Sequence, residues 1–155
     1  MPIPGRALRT GAGILGPMAA KPDLGDPLKV LIVEDNRDTR TTMRMLLSMG
    51  FGHDVYEAGD GAGGVRLALE MRPDVALIDL GLPDLDGHEV ARRIRAVLDR
   101  RAIVLVALTG YDSPEDRRLA EQSGFDVHLV KPVDSAELSR ILDEIARSRE
   151  NAGGG

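Results

Sequence analysis

The run Ile103-Val104-Leu105-Val106-Ala107-Leu108 decides the fold class. It holds six apolar residues in succession and ends at the polar residue Thr109. A strand with one face in water alternates apolar and polar residues, whereas a strand covered on both faces is apolar throughout. The run therefore predicts an interior strand of a parallel sheet that is packed between two layers of helices.

Outward from this run, short apolar segments alternate with segments of helical period. The other strands are predicted at 28–33, 53–58, 75–78 and 127–130. Five βα units with short connections predict an α/β fold, namely a flavodoxin-like, five-stranded, doubly wound parallel sheet with helices on both faces. The residues predicted to turn inward from the helices are Met43, Leu46, Leu47, Val65, Ala68, Leu69, Val90, Ile94, Val97, Leu98, Leu138, Ile141, Leu142 and Ile145. Ser113 and Pro114 have the residue types of a helix start, and Asp134 with Glu137 is typical of a capping box.

Composition predicts one folded domain over residues 28–147. Residues 1–27 contain five Pro and five Gly without a period, which predicts a flexible linker or tail, and residues 148–155 are predicted to form a flexible C-terminal tail. The net charge is −5, which disfavours nucleic acid and anionic membrane as partners. There is no Cys, and no apolar run approaches the length of a membrane span, so we expect a cytoplasmic protein.

Polar residues follow four of the predicted strands: Glu34 and Asp35 the first, Asp79 the third, Thr109 the fourth and Lys131 the fifth. In doubly wound sheets, ligands bind outside the carboxyl ends of the strands. Three carboxylates at one edge repel each other unless a cation joins them, and Mg²⁺ prefers oxygen ligands of this kind. Lys131 and Thr109 are suited to the oxygens of a transferring phosphoryl group, and Asp79 to the role of nucleophile.

Four segments carry a family resemblance: 33–36 (VEDN), 78–87 (IDLGLPDLDG), 107–110 (ALTG) and 130–133 (VKPV). In order and spacing they resemble the receiver domain of two-component response regulators. The resemblance implies that Asp79 accepts a phosphoryl group from a sensor histidine kinase or a histidine phosphotransfer protein. It implies that Mg²⁺ is held by Glu34, Asp35, Asp79 and the main-chain carbonyl of Gly81. It also implies that Thr109 and Lys131 contact the aspartyl phosphate and that the Lys131-Pro132 peptide is cis.

The resemblance further implies a conformational switch at Thr109 and at the aromatic position three residues before Lys131. That position holds His128, where Tyr or Phe is commoner in the family. His128 either turns inward like an aromatic ring, or makes the switch sensitive to pH through its charge, or is a surface histidine of an edge strand without a switching role. Gly81 and Tyr111 occupy positions that tune autodephosphorylation in the family, and the glycine predicts a long-lived phosphoryl group.

Two other patterns have competing interpretations. Residues 59–64 (GDGAGG) match the dinucleotide pattern G-x-G-x-x-G, but they follow the second strand and not the first, so we interpret them as a helix start. Arginines are dense between residues 92 and 101. We interpret them as a solvated helix face, with docking to an acidic partner as the alternative.

The function that the sequence favours is a phosphorylation switch or phosphoryl shuttle without an output domain, since nothing after residue 147 is long enough to form one. A fragment of a hybrid kinase, tethered through residues 1–27, is the alternative organisation. Such a protein is no enzyme beyond its own phosphorylation and dephosphorylation, and its downstream target is unknown. An aspartyl-phosphate phosphatase is a second hypothesis, but Gly81 stands where its general-acid carboxylate belongs. A pseudo-receiver that only binds proteins is the third.

Overall fold

The computed structural model describes residues 26–154, with side chains as far as Asn151, so the predicted linker at 1–27 lies almost wholly outside the described residues. Five parallel strands form one sheet in the order β2-β1-β3-β4-β5. This order and the alternating helices confirm the predicted flavodoxin-like, doubly wound fold. The strands are β1 (Lys29–Val33), β2 (Asp54–Ala58), β3 (Val75–Asp79), β4 (Val104–Thr109) and β5 (Val127–Val130). The helices are α1 (Arg37–Met45), α2 (Gly61–Met71), α3 (Gly87–Arg95), α4 (Pro114–Ser123) and α5 (Ser135–Gly154), and a π-helical turn, Leu46–Gly50, continues α1.

The two faces of the sheet carry separate hydrophobic layers. Leu31, Ile78 and Ala107 pack toward α2, α3 and α4, whereas their strand neighbours Ile32 and Leu108 pack toward α1 and α5. All five side chains are fully buried. Because alternate residues of a strand face opposite layers, a strand with helices on both sides must be apolar at every position. The interior strands β1, β3 and β4 have this pattern except at an end of each strand, where Lys29, Asp79 and Thr109 stand.

Polar side chains start the helices where the strand-to-helix loops end. Asn36, Asp60 and Asp86 cap α1, α2 and α3 by accepting main-chain N–H bonds. Ser113 and Asp116 form a reciprocal capping box with Pro114 at the first helical position, as the sequence predicted for α4. Short, capped connections of this kind keep the carboxyl ends of the strands open on one edge of the sheet.

The last helix corrects one predicted boundary. α5 continues to Gly154, so the boundary at residue 147 lies inside a helix and the prediction of a tail from 148 is wrong for residues 148–151. The guanidinium of Arg149 donates to the carbonyls of Asp74, Arg101 and Ala102, which precede β3 and β4. These contacts hold the end of α5 against the edge of the sheet that is opposite to the predicted site.

A second correction concerns the helix after β3. Val90, Ile94 and Leu98 are buried as predicted, but Val97 is 59% exposed. α3 ends at Arg95, so Val97 lies in the turn beyond the helix and no longer follows its inward-facing stripe. Among residues 26–154, no helix has the length and apolar character required to cross a membrane.

Candidate functional site

Three acidic side chains meet at the carboxyl edge of the sheet. Glu34 and Asp35 follow β1, Asp79 is the last residue of β3, and these two strands are paired neighbours. Each of the three side chains offers a carboxylate oxygen, and these oxygens lie within 4.8 Å of one another. Glu34 is 1% exposed and Asp79 is 8% exposed, whereas Asp35 is open to solvent. Hard oxygen donors grouped in this way fit Mg²⁺, which binds through carboxylates and retains several waters.

Lys131 supplies the positive charge beside two of these carboxylates. Its Nζ lies 3.2 Å from Oε1 of Glu34 and 3.3 Å from Oδ1 of Asp79. The main-chain N–H of Lys131 donates to the carbonyl of Thr109, and the Lys131-Pro132 peptide is cis, as predicted. The lysine therefore reaches the acidic cluster from the end of β5, two strands away from β3.

The charges shift one another's pKa values. Burial raises the pKa of Glu34, and the negative charge of Asp79 adds to the rise, while the N–H of Asn36 and the ammonium of Lys131 partly offset it. Burial alone would lower the pKa of Lys131, but the carboxylates of Asp79 and Glu34 outweigh it and raise that pKa. The lysine therefore stays charged, and one carboxylate of the cluster takes up a proton more readily than an exposed glutamate.

The loop after β3 is packed closely around Asp79. The N–H of Gly81 donates to Oδ1 of Asp79 at 3.0 Å. At Gly87, the first residue of α3, a Cβ would lie 2.7 Å from the carbonyl oxygen of Asp79, so only glycine permits this approach. Asp84 accepts the N–H groups of Gly61 and Ala62 at the start of α2, which anchors the middle of the loop. That the carbonyl of Gly81 is a metal ligand stays a prediction.

Thr109 is the last residue of β4, and His128 lies within β5. Thr109 is buried at the end of β4, and its Oγ1 accepts the N–H of Tyr111 at 3.0 Å. The side chain of His128 is 11% exposed, and neither ring nitrogen has a hydrogen-bond partner among the described residues. The nearest carboxylate is Asp112, whose Oδ1 lies 3.7 Å from Nδ1 of His128. The ring of His128 is therefore largely enclosed, and its role in switching stays a prediction.

The two patterns with competing interpretations have structural explanations. Gly61 begins α2, as the helix-start interpretation required, and a Cβ there would lie 2.7 Å from Cβ of Leu85. A Cβ at Gly64 would lie 2.8 Å from the side chain of Val33, so these glycines allow close packing.

The arginine run is largely neutralised within the fold by two acidic residues. Glu89 pairs with Arg92 and Arg93, and Asp126 pairs with Arg95 and Arg100.

Sequence reasoning missed one residue that contacts the acidic loop. Arg40 lies on α1, and its guanidinium donates to the main-chain carbonyl of Glu34 at 2.7 Å. Arginine on an amphipathic helix usually indicates a solvated position, so its residue type gave no signal. The only available clue was its place in the sequence, six residues after Glu34 and in the first turn of the helix that follows the acidic loop.

Comparison with known proteins identifies a family and solved structures of similar architecture. The family model of the response regulator receiver domain matches residues 30–143. Transcriptional regulatory protein AfsQ1 of Streptomyces coelicolor is 36% identical over 121 residues, which cover 78% of this chain and 52% of that protein. Protein PilH of Pseudomonas aeruginosa is 30% identical over 117 residues, which cover 76% of this chain and 96% of that protein. The match thus spans about half of the first relative and nearly all of the second.

A solved structure extends the comparison to the site. The receiver domain of the sensor histidine kinase PA1611 from Pseudomonas aeruginosa is 38% identical and superposes with a TM-score of 0.68. The match covers 78% of this chain and 98% of that domain. In that crystal structure a magnesium ion is coordinated in the active site cleft.

Proposed function

Because the chain belongs to the response regulator receiver family, we propose that Asp79 accepts a phosphoryl group from a histidine kinase or a histidine phosphotransfer protein. The observation that supports this most directly is the position of Asp79 beside Lys131, with two further carboxylates at the same edge of the sheet. The phosphorylated form would then act as a conformational switch or pass the group on, in the cytoplasm.

The surrounding side chains suit an in-line transfer. An oxygen of Asp79 attacks phosphorus while the bond from phosphorus to the donor imidazole breaks and the leaving imidazole takes up a proton. The ammonium of Lys131, 3.3 Å from Oδ1 of Asp79, is placed to bind the phosphoryl oxygens. Oγ1 of Thr109 accepts the N–H of Tyr111 and so keeps its own hydrogen for donation.

Glu34, Asp35 and Asp79 would hold Mg²⁺, with the carbonyl of Gly81 as the further ligand that the family resemblance implies. When bound, the ion offsets the negative charge that the phosphoryl group brings to three carboxylates. Glu34 must be ionised to serve as a ligand, and its burial makes the ionised form costly without a cation. The site is therefore expected to depend on a divalent ion for phosphorylation.

The proposal is tested by intact mass after incubation with acetyl phosphate. The native chain should gain one phosphoryl group in the presence of Mg²⁺ and none with EDTA, and Asp79→Asn should gain none. Asp54→Asn is the matched control, because Asp54 is an exposed aspartate at the start of β2, at the opposite edge of the sheet. If the native chain gains no mass under any condition, the pseudo-receiver hypothesis replaces the phosphoacceptor.

We also expect the phosphoryl group to be long-lived. Gly81 has no side chain with which to orient a hydrolytic water, and its N–H is engaged by Asp79. Tyr111 is exposed at the rim of the site and offers no carboxylate or amide. The rate is measured by following the decay of phosphorylated mass after removal of acetyl phosphate at neutral pH, and a decay within seconds would contradict the expectation.

A further inference from the structure

Arg40 joins the acidic loop to the neighbouring strand. One guanidinium nitrogen donates to the main-chain carbonyl of Glu34 at 2.7 Å, while Nε contacts Oε1 of Glu57 on β2 at 3.3 Å. The side chain of Arg40 is only 21% exposed. A planar guanidinium can make such contacts in two directions at once, which the compact ammonium of lysine does less well. Arg40 is therefore held on both sides.

The carbonyl that Arg40 binds belongs to the peptide group between Glu34 and Asp35. The direction of that carbonyl sets the rotation of the peptide plane, and hence the directions in which both side chains leave the loop. Glu34 has other restraints, since its N–H donates to the carbonyl of Ala58 and its Oε2 accepts the N–H of Asn36. Asp35 is exposed and lacks packing of this kind, so its placement depends on the main chain.

Glu57 pairs with two arginines of α1. Oε1 of Glu57 lies against Arg40, and Oε2 lies 2.9 Å from Nε of Arg44, one turn later on α1. On the other side, a Cβ at Gly59 would lie 3.3 Å from the guanidinium, so the arginine also fits tightly against the turn after β2.

We propose that Arg40 is a positioning residue for the divalent-ion site, acting by clamping the carbonyl of Glu34 so that Glu34 and Asp35 face Asp79. This inference rests on the proposed function and names a residue that supports its metal site. Contacts behind metal ligands commonly change metal affinity or activity by about 10- to 100-fold when they are removed. We therefore expect Arg40→Met to weaken Mg²⁺ binding about tenfold.

The direction of the change in Mg²⁺ affinity distinguishes a positioning role of Arg40 from a simple effect of its charge. Removing a positive charge near three carboxylates makes the site more negative, which by itself strengthens the binding of a cation. Arg44→Met is the matched control, because Arg44 pairs with the same Glu57 from the same helix, while the contact to the carbonyl of Glu34 belongs to Arg40. Positioning predicts weaker binding in Arg40→Met and binding within twofold of native in Arg44→Met.

The experiment is isothermal titration of the metal-free native chain and both variants with MgCl₂, with urea unfolding to show that each variant is folded. Amide hydrogen exchange at Asp35 and Asn36 is the second measurement, and it needs neither metal nor phosphorylation. Faster exchange in Arg40→Met than in Arg44→Met supports the inference. Equal exchange, or Mg²⁺ binding in Arg40→Met as tight as native or tighter, overturns it.

The two proposals fail in different ways. If the native chain binds Mg²⁺ but acetyl phosphate adds no mass, the phosphoacceptor role is lost while the role of Arg40 is still decided by titration. If the native chain binds no Mg²⁺, the metal site is lost and the positioning role falls with it, whatever the exchange data show about the loop.

Discussion

Lys131→Met should have opposite effects on the stability of the metal-free protein and on its affinity for Mg²⁺. The substitution keeps an unbranched side chain of similar length but removes the ammonium that lies 3.2 Å from Glu34 and 3.3 Å from Asp79. Without it, two carboxylates that are 1% and 8% exposed face each other with no compensating charge. Both effects follow from the loss of the ammonium charge.

The size of the stability effect can be worked out from these distances. At an effective dielectric constant of about 20, each contact is worth about 5 kcal/mol before desolvation is counted. Desolvation of the lysine and the 33% exposure of its side chain cancel most of this gain. Glu34 can also relieve the strain in the variant by taking up a proton, since its pKa is already raised by burial. We therefore expect a loss of about 2 kcal/mol in the free energy of unfolding, measured with urea in EDTA.

The affinity for Mg²⁺ should rise because the ammonium and the ion interact with the same carboxylates. In the native chain the two positive charges repel each other, and in the variant that repulsion is absent. We expect Mg²⁺ to bind about tenfold more tightly to Lys131→Met, which corresponds to about 1.4 kcal/mol, and so to recover most of the lost stability at saturation. Isothermal titration and urea unfolding with and without MgCl₂ give both numbers.

Lys131→Arg serves as the control that keeps the charge, and its Mg²⁺ affinity should stay within about threefold of native. Unchanged or weaker Mg²⁺ binding in Lys131→Met would refute the reasoning, because it would mean that the lysine does not compete with the ion for the carboxylates. A metal-free variant as stable as the native chain would refute the account of how the cluster is held together.

Two further predictions concern protons and packing. Because the pKa of Glu34 is raised in the folded state, its contribution to metal-free stability is complete below the ordinary pKa of 4.5 and is lost as pH rises through the raised value. Protonation of Glu34 opposes Mg²⁺ binding, so the affinity for Mg²⁺ should fall on acidification. The fall should begin at a higher pH than the titration of exposed glutamates, and titration calorimetry between pH 7 and 5 would measure it. Gly61→Ala should cost about 2 kcal/mol in urea unfolding because its Cβ would lie 2.7 Å from Leu85. Gly110→Ala should change stability by less than about 0.5 kcal/mol, because an added Cβ there would have no other atom within 4 Å. Equal losses in the two glycine variants would contradict the packing argument.

The sequence predicted the strands and the edge of the sheet at which the acidic residues meet. This worked because an interior strand is apolar at every position, so the first polar residue after it marks the carboxyl end. Glu34 and Asp79 are such residues, and the pairing of β1 with β3 brings them together. The burial of His128 was left open, because an edge strand shows which face a residue is on but not whether a helix covers that face.

The features that the sequence did not predict depend on single long side chains. Arg149 binds carbonyls that precede β3 and β4, and this contact fixes a part of α5 that composition alone indicated to be a tail. Arg40 binds the carbonyl of Glu34 from α1 in the same manner. The periodicity of apolar residues does not locate such contacts. It shows which face of a helix is apolar, but not which atoms the guanidinium of a long side chain reaches.

The charges at the strand ends indicate why the proposed phosphoryl group would need a divalent ion beside Lys131. Lys131 provides one positive charge against three carboxylates, and it is already shared between Glu34 and Asp79. In the proposed phosphorylated form, a group that carries about two negative charges replaces the single charge of Asp79. Lys131 cannot bind that group fully without giving up part of its contact with Glu34, whose burial makes an unpaired negative charge costly. A second cation beside Glu34 removes this conflict, and by linkage the phosphoryl group and the ion must then strengthen each other's binding by the same factor.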